Sequence, residues 1–254
     1  MNKIPQIPLA SLIARLITHY FLSLFFPVII DDKKKILPRI NREVGKEGKG
    51  LIVVYTHFSY RDGIDITRHL VVKNPILQRR EVISPLSFHQ YNMPVRLLTD
   101  LYHEKLYPIV NNDTLSHKGF EAMTKGEGMD KFINASTQEI GRGGIVMIAT
   151  NAGRREKLDI DDPQKPLGYL MLGLQQKKID NYSILNVCLT IKGAKSYKKK
   201  DVGGVNIGKT YILTPASYYH PEELLGRREV GGKISNVDSF VRRDIAKVAA
   251  KGYL

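Results

Sequence analysis

The chain has 254 residues, 43% of them hydrophobic, with 39 Lys and Arg against 25 Asp and Glu and a net charge of +14. That length supports a sizeable core in a single α/β domain, and the charge calls for an anionic partner. The one cysteine, Cys188, excludes an intrachain disulfide framework, and no Cys/His metal spacing, P-loop or Rossmann glycine fingerprint is present.

From Pro8 to Ile30 the chain is mostly apolar with one narrow polar stripe. Ser11, Arg15, Thr18, His19 and Ser23 recur at three- or four-residue steps. Leu9, Leu12, Ile13, Leu16, Ile17, Tyr20, Phe21, Leu24 and Phe25 cover the rest of a helix. Pro27 ends or kinks it. A bilayer span needs about 20 predominantly apolar residues, but Arg15 and His19 fall mid-segment, where charge is costly. The same two residues interrupt what would be a signal-peptide core, and no small-residue cleavage site follows. The pattern suits an amphipathic helix lying in a membrane interface, or one packed on its own domain. In the interfacial setting Arg15 and His19 stay near headgroups while Leu12, Leu16, Phe21 and Phe25 enter the acyl region. Lys33, Lys34 and Lys35 would then attract anionic lipid.

Next comes the buried strand Leu51–Tyr55, followed by Thr56-His57-Phe58-Ser59-Tyr60-Arg61-Asp62-Gly63. A strand that ends in a histidine, with a carboxylate five positions on, can make a catalytic base. The strand fixes the imidazole, and the turn brings Asp62 onto its far nitrogen. The bland alternative makes His57 a strand-end histidine and Asp62 the N-cap of the next helix, with Asp65 at N3.

Beyond it the pattern alternates as in α/β proteins. Helices are predicted over Ile64–Val72, Pro94–Glu104, Gly119–Ile140, Leu167–Gln176 and Val237–Ala250. Strands are predicted over Val82–Leu86, Leu106–Val110, Gly144–Ala149, Ile184–Ile191 and Thr210–Thr214. Most of these strands are continuous apolar runs, which implies burial on both faces of a mostly parallel sheet. Residues Lys192–Lys209, with the run Lys198-Lys199-Lys200, read as a surface loop. Cys188 lies in an apolar run, which disfavours it as a nucleophile. After the Gly144–Ala149 strand, Arg154 and Arg155 can gather around a phosphate. Basic residues are not interleaved with aromatics, so no nucleic acid partner is expected.

The stretch from Thr56 to Gly63 resembles the H-x-x-x-x-D signature of the glycerolipid acyltransferases, the 1-acylglycerol-3-phosphate acyltransferase-like family. Ser59 and Tyr60 stand where members often carry a Ser and an aromatic. The family's second block has the form F-P-E-G-T-R-S. Thr150-Asn151-Ala152-Gly153-Arg154-Arg155 stands in its place, with Arg154 on the family's arginine and Asn151 and Ala152 where Glu and Gly are expected. Tyr107-Pro108-Ile109-Val110-Asn111-Asn112 sits where an arginine-ended acceptor block belongs, but ends in asparagines. Ser183–Leu189 resembles the apolar fourth block without its prolines.

The resemblance implies a single glycerolipid-acyltransferase-like α/β domain over residues 36–254, after an N-terminal membrane-associating helical segment over 1–35. It implies an O-acyltransferase moving a fatty acyl group from acyl-CoA or acyl carrier protein to the hydroxyl of a lysophospholipid or glycerol-phosphate acceptor in phospholipid synthesis. No permanently bound cofactor or metal is expected. His57 and Asp62 would be catalytic, with Arg154, Arg155, Gly153, Ser59 and Asn151 holding substrate. The expected setting is monotopic, on an anionic membrane surface at the cytoplasmic face. Three alternatives remain: a sibling enzyme acylating a non-phosphate acceptor, a catalytically inactive lipid- or membrane-binding relative, or a basic membrane-surface or nucleic-acid-binding protein.

Overall fold

A computed structural model of the protein describes residues 8–57, 61–75, 77–91, 104–150, 157–194 and 206–249. Helix α1 (Leu9–Phe25) leads into β1 (Val28–Ile30) and α2 (Ile36–Ile40), which continues as a π-helical turn over Asn41–Lys46. Strand β2 (Gly50–Tyr55) is followed by α3 (Asp62–Ile66), which also widens into a π turn over Thr67–Val72. Then come β3 (Val82–Ser87), β4 (Glu104–Ile109), the short α4 (Asn112–Leu115), α5 (Met129–Gly141) and β5 (Ile145–Ala149). Helix α6 (Pro166–Gln176), β6 (Tyr182–Ile191), β7 (Tyr211–Tyr219), α7 (Pro221–Leu225) and α8 (Val237–Ala246) complete the described elements.

The strands form one seven-stranded sheet in the order β1-β7-β6-β2-β5-β3-β4. Every neighbouring pair is parallel except β6 with β7. The central strands β2 and β6 are buried along their whole length, as their continuous apolar runs require. β1 comes from within residues 1–35 and pairs with Tyr211–Leu213 of β7. The N-terminal segment and the α/β domain therefore share one sheet. Among the described residues, the outer edge of β7 has no strand partner past Leu213, and Pro215 sits there, beside the register shift at Asn186/Val187.

Most boundaries follow the sequence pattern within a residue or two, but the helix expected over Gly119–Ile140 is shorter. It starts only at Met129 because Gly126 and Gly128 take φ of +88° and +87°, which a right-handed helix cannot use. Residue Glu104, expected to end a helix, begins β4 instead; the rest of Pro94–Glu104 and most of the 192–209 loop lie outside the described residues.

The orientation of α1 departs from expectation. Its polar stripe faces the domain: Arg15 is fully buried, His19 is 2% exposed, and Leu12 is buried beside them. Arg15 donates through Nη1 to the carbonyls of Gln78 (2.6 Å) and Arg80 (3.3 Å). Arg15 and His19 therefore sit under the helix, not near headgroups. Apolar side chains point outward instead: Leu9, Ile13, Ile17, Tyr20, Phe21, Leu24 and Phe25 are exposed. Among the described residues, no helix is long and apolar enough to cross a membrane.

Part of the positive charge is internal. Arg15, Arg61, Arg68, Arg80 and Arg242 are each 3% exposed or less. Arg80 reaches the carbonyls of Val44 (2.5 Å) and Gly143, and Arg242 those of Thr150 (2.9 Å), Asp162 (2.5 Å) and Gln164. A guanidinium offers five donors in a fixed fork, so it can satisfy several loop carbonyls at once.

Candidate active site

Strand β2 delivers Thr56 and His57 off its C-terminal end. The amide of Leu189 donates to Thr56 Oγ1 (2.9 Å), and the amide of Thr56 donates to Val187 O (3.2 Å). Strand β6 thus fixes the residue just before the histidine. The Tyr55 ring stands edge-on to the imidazole, with centroids 6.0 Å apart and planes at 81°. Burial, then the Glu104 and Asp62 carboxylates, push the Tyr55 phenol upward, so it stays protonated.

The chain returns at Arg61, and Asp62 opens α3. Asp62 Oδ2 lies 3.2 Å from His57 Nδ1. The carboxylate is fully buried, while the imidazole keeps 21% of its side-chain surface open. A carboxylate only accepts, so Nδ1 carries the proton and Nε2 presents its lone pair. A neutral imidazole held that way can take a proton from a hydroxyl. The bland alternative for this pair does not hold in detail. Arg61, not Asp62, is the N-cap of α3, and the Arg61 side chain makes no capping bond to the helix. Asp65, rather than supporting a cap, accepts from Arg61 Nε (2.5 Å) and Arg68 Nη1 (2.7 Å). Burial pushes the Asp65 carboxyl up to about 6, against the pull of both arginines.

The other expected binding residues, Ser59, Asn151, Gly153, Arg154 and Arg155, lie outside the described residues. Thr150, just before that second block, donates its amide to Tyr55 O (2.8 Å), and its carbonyl is held by Arg242. At the end of β4, Asn111 is occupied locally. Its Oδ1 accepts from the amide (2.8 Å) and hydroxyl (3.0 Å) of Thr114, and its Nδ2 donates to Ser87 Oγ (2.8 Å). Where the acceptor block was expected to end in arginine, this asparagine shapes a turn.

One thiol and one side-chain cluster carry reactive groups in structural settings. Cys188 is fully buried, and burial pushes its thiol up to about 12, too high for a nucleophile. Ser183, His220 and Glu43 form a chain with Oγ···Nδ1 at 3.2 Å and Nε2···Oε2 at 2.9 Å. It has the composition of a hydrolytic triad. Ser183 is fully buried, however, and His220 caps α7 through a capping box with Glu223. The chain fastens the π turn after α2 to β6 and β7. Among the described residues, no group of three or more His, Cys, Asp or Glu could hold a metal ion.

Sequence reading missed the Arg61–Asp65–Arg68 cluster, although the signal was present. Residues four and three apart share a helix face, and opposite charges at those spacings meet. His220 was passed over because its carboxylate, Glu43, is remote in sequence and adjacent only in the fold.

The chain is similar to the 1-acyl-sn-glycerophosphate (LPA) acyltransferase PlsC from Thermotoga maritima. The match to that crystal structure has a TM-score of 0.41 and 10% identity, over 94% of this chain and 96% of the other. No protein-family model matches the sequence. No curated protein matches it either.

Proposed function

We propose that the protein is an O-acyltransferase in which His57, oriented by Asp62, is the general base. The observation that carries this reading is the 3.2 Å contact between His57 Nδ1 and the fully buried Asp62 carboxylate at the open end of a parallel strand. His57 Nε2 takes the proton of an acceptor hydroxyl as the oxygen attacks the carbonyl of an acyl thioester. The tetrahedral intermediate then collapses, expelling the thiolate, which leaves as the thiol with the proton from the imidazolium. No acyl-enzyme is needed, and no metal enters the steps. Amides of the loop that holds Gly153 are proposed to stabilise the oxyanion.

Acyl-CoA or acyl carrier protein is the proposed donor, and a lysophospholipid the acceptor, with Arg154 and Arg155 meeting its phosphate and Ser59 and Asn151 lining the site. Docking on one leaflet of an anionic membrane, at the cytoplasmic face, is proposed through the outward face of α1. Its exposed Ile13, Ile17, Tyr20, Leu24 and neighbours support that, together with the exposed Ile29 and Ile207. One observation favours a second acceptor class. Asn111 is bonded into its turn and brings no positive charge for a phosphate, which supports an acceptor without phosphate, such as a sugar or an amino lipid.

The test is acyl transfer from labelled acyl-CoA and labelled acyl carrier protein across lysophosphatidate, glycerol 3-phosphate, a neutral monoacylglycerol and an amino lipid. Transfer to the phosphorylated acceptors supports the first class, and transfer to the uncharged ones supports the second. Transfer to none of them contradicts the reading.

A further inference from the structure

Arg61 directly precedes the carboxylate that orients His57, and its side chain is held from several elements at once. Its Nε donates to Asp65, and its Nη1 donates to the carbonyls of Asn206 (3.0 Å) and Lys209 (3.2 Å). The guanidinium lies over the rings of Phe26 and Tyr211, 4.8 and 3.9 Å from their centroids. Asp65 passes the contact on to Arg68. Arg68 Nη2 donates to Ser23 Oγ of α1 (2.8 Å), and both its Nη groups lie 3.5 Å from the carbonyl of Phe26, just past the helix. Ser23 in turn donates to the carbonyl of His19 one turn earlier (2.8 Å). The amide of Gly208 donates to Phe25 O (2.9 Å), so the 206–209 turn is seated on the same end of α1.

We propose that Arg61, Asp65 and Arg68 are positioning residues for the His57–Asp62 pair, and that they tie its geometry to the seat of helix α1. None of the three touches the reacting atoms. Each link is a charge-assisted bond or a stacked guanidinium in a water-poor interior, where such contacts are short and directional. A shift of α1 against α3 must therefore break Arg68–Ser23 or drag Asp65, and through Asp65 it turns the peptide that carries Asp62. The outward face of the same helix is the exposed apolar one, so whatever loads that face loads the dyad. A small misplacement of an oriented base is costly, because near-attack geometry supplies much of the rate. The kinetic part of this proposal rests on the acyltransferase reading; the geometric part does not.

The test uses the full chain with Ser23→Ala and Arg68→Lys. Ser23→Ala removes one acceptor on α1 and replaces it with the best helix former, so it folds. Three readouts are taken. These are the fraction of His57 in the Nδ1–H tautomer from ring 15N shifts, kcat and KM for acyl-CoA transfer to lysophosphatidate in anionic vesicles, and the melting temperature. Arg68→Lys is expected to convert His57 to a mixture of tautomers and to lower kcat about tenfold, with KM nearly unchanged. Ser23→Ala is expected to act in the same direction by about threefold. If both variants keep the wild-type tautomer and kcat and lose only melting temperature, the cluster is a structural fastening and the proposal falls. If the tautomer fraction drops while wild type itself transfers no acyl group, the positioning role stands and the acyltransferase reading fails.

Discussion

The imidazoles of His19 and His69 meet edge to face beneath α1, with ring centroids 5.4 Å apart and planes at 70°. Both are at least nine-tenths buried. Among the described residues, neither nitrogen of His69 nor Nδ1 of His19 has a hydrogen-bond partner. Burial, then the nearby Arg68 and Lys73, hold His19 down at about 4 and His69 at about 3.

That pair makes the seat of α1 acid-sensitive. In the unfolded chain a histidine takes a proton near pH 6.5, whereas these two refuse it when folded. Between about 6.5 and those lowered values the unfolded state binds more protons, so stability falls as pH falls. Above about 6.5 the contribution vanishes. Each unit of depression is worth about 1.4 kcal/mol at most. Asp65, pushed up to about 6, acts in the opposite sense, since it binds its proton more readily when folded. The difference between wild type and His69→Phe isolates the imidazole. Calorimetric melting from pH 7 to pH 4 is expected to show a steeper loss in wild type. Parallel curves would mean that His69 already has a partner for its proton.

The outward face of α1 gives a second expectation. Ile17→Glu with Leu24→Glu places charge on side chains that are 65% and 78% exposed, so folding stability should change by no more than about 0.5 kcal/mol per site. Sedimentation with anionic vesicles should be largely lost. In wild type, added salt should weaken the same binding as it screens the lysines. Unchanged sedimentation of the double variant would remove α1 as the docking surface.

Gly128 is the clearest backbone constraint. Its φ is +87°, and a Cβ there would press into the carbonyl of Pro108 on β4. Gly128→Ala is expected to cost about 1–3 kcal/mol in urea unfolding, with no change in slope. A neutral result would show that the turn before α5 relaxes freely.

Much of the sheet was readable from the sequence because β2, β5 and β6 are buried on both faces and therefore continuously apolar. The same logic could not find β1, whose three residues gain their pairing only from the distant β7. The direction of α1 was unreadable for a different reason. Periodicity shows that a helix has two faces, but not which one the domain takes, and here buried arginine and histidine occupy the face that hydropathy would turn toward water. In the site, the five-residue spacing of His57 and Asp62 argued against two side chains on one helix face, and the structure places one just past β2 and the other at the start of α3, 3.2 Å apart. Asn111 was visible as a departure from an arginine-ended block, but only its bonds to Thr114 and Ser87 explain what it does.

The measurement that tests the central claim most directly is steady-state acyl transfer by wild type, His57→Ala and Asp62→Asn, compared at equal folded concentration. General base catalysis contributes roughly 10²–10⁴-fold, so His57→Ala should lose at least about a hundredfold in kcat while melting normally. Asp62→Asn should also be severe, because the imidazole loses the carboxylate that holds its tautomer. Near-normal turnover by folded His57→Ala would contradict the assignment of His57 as the base.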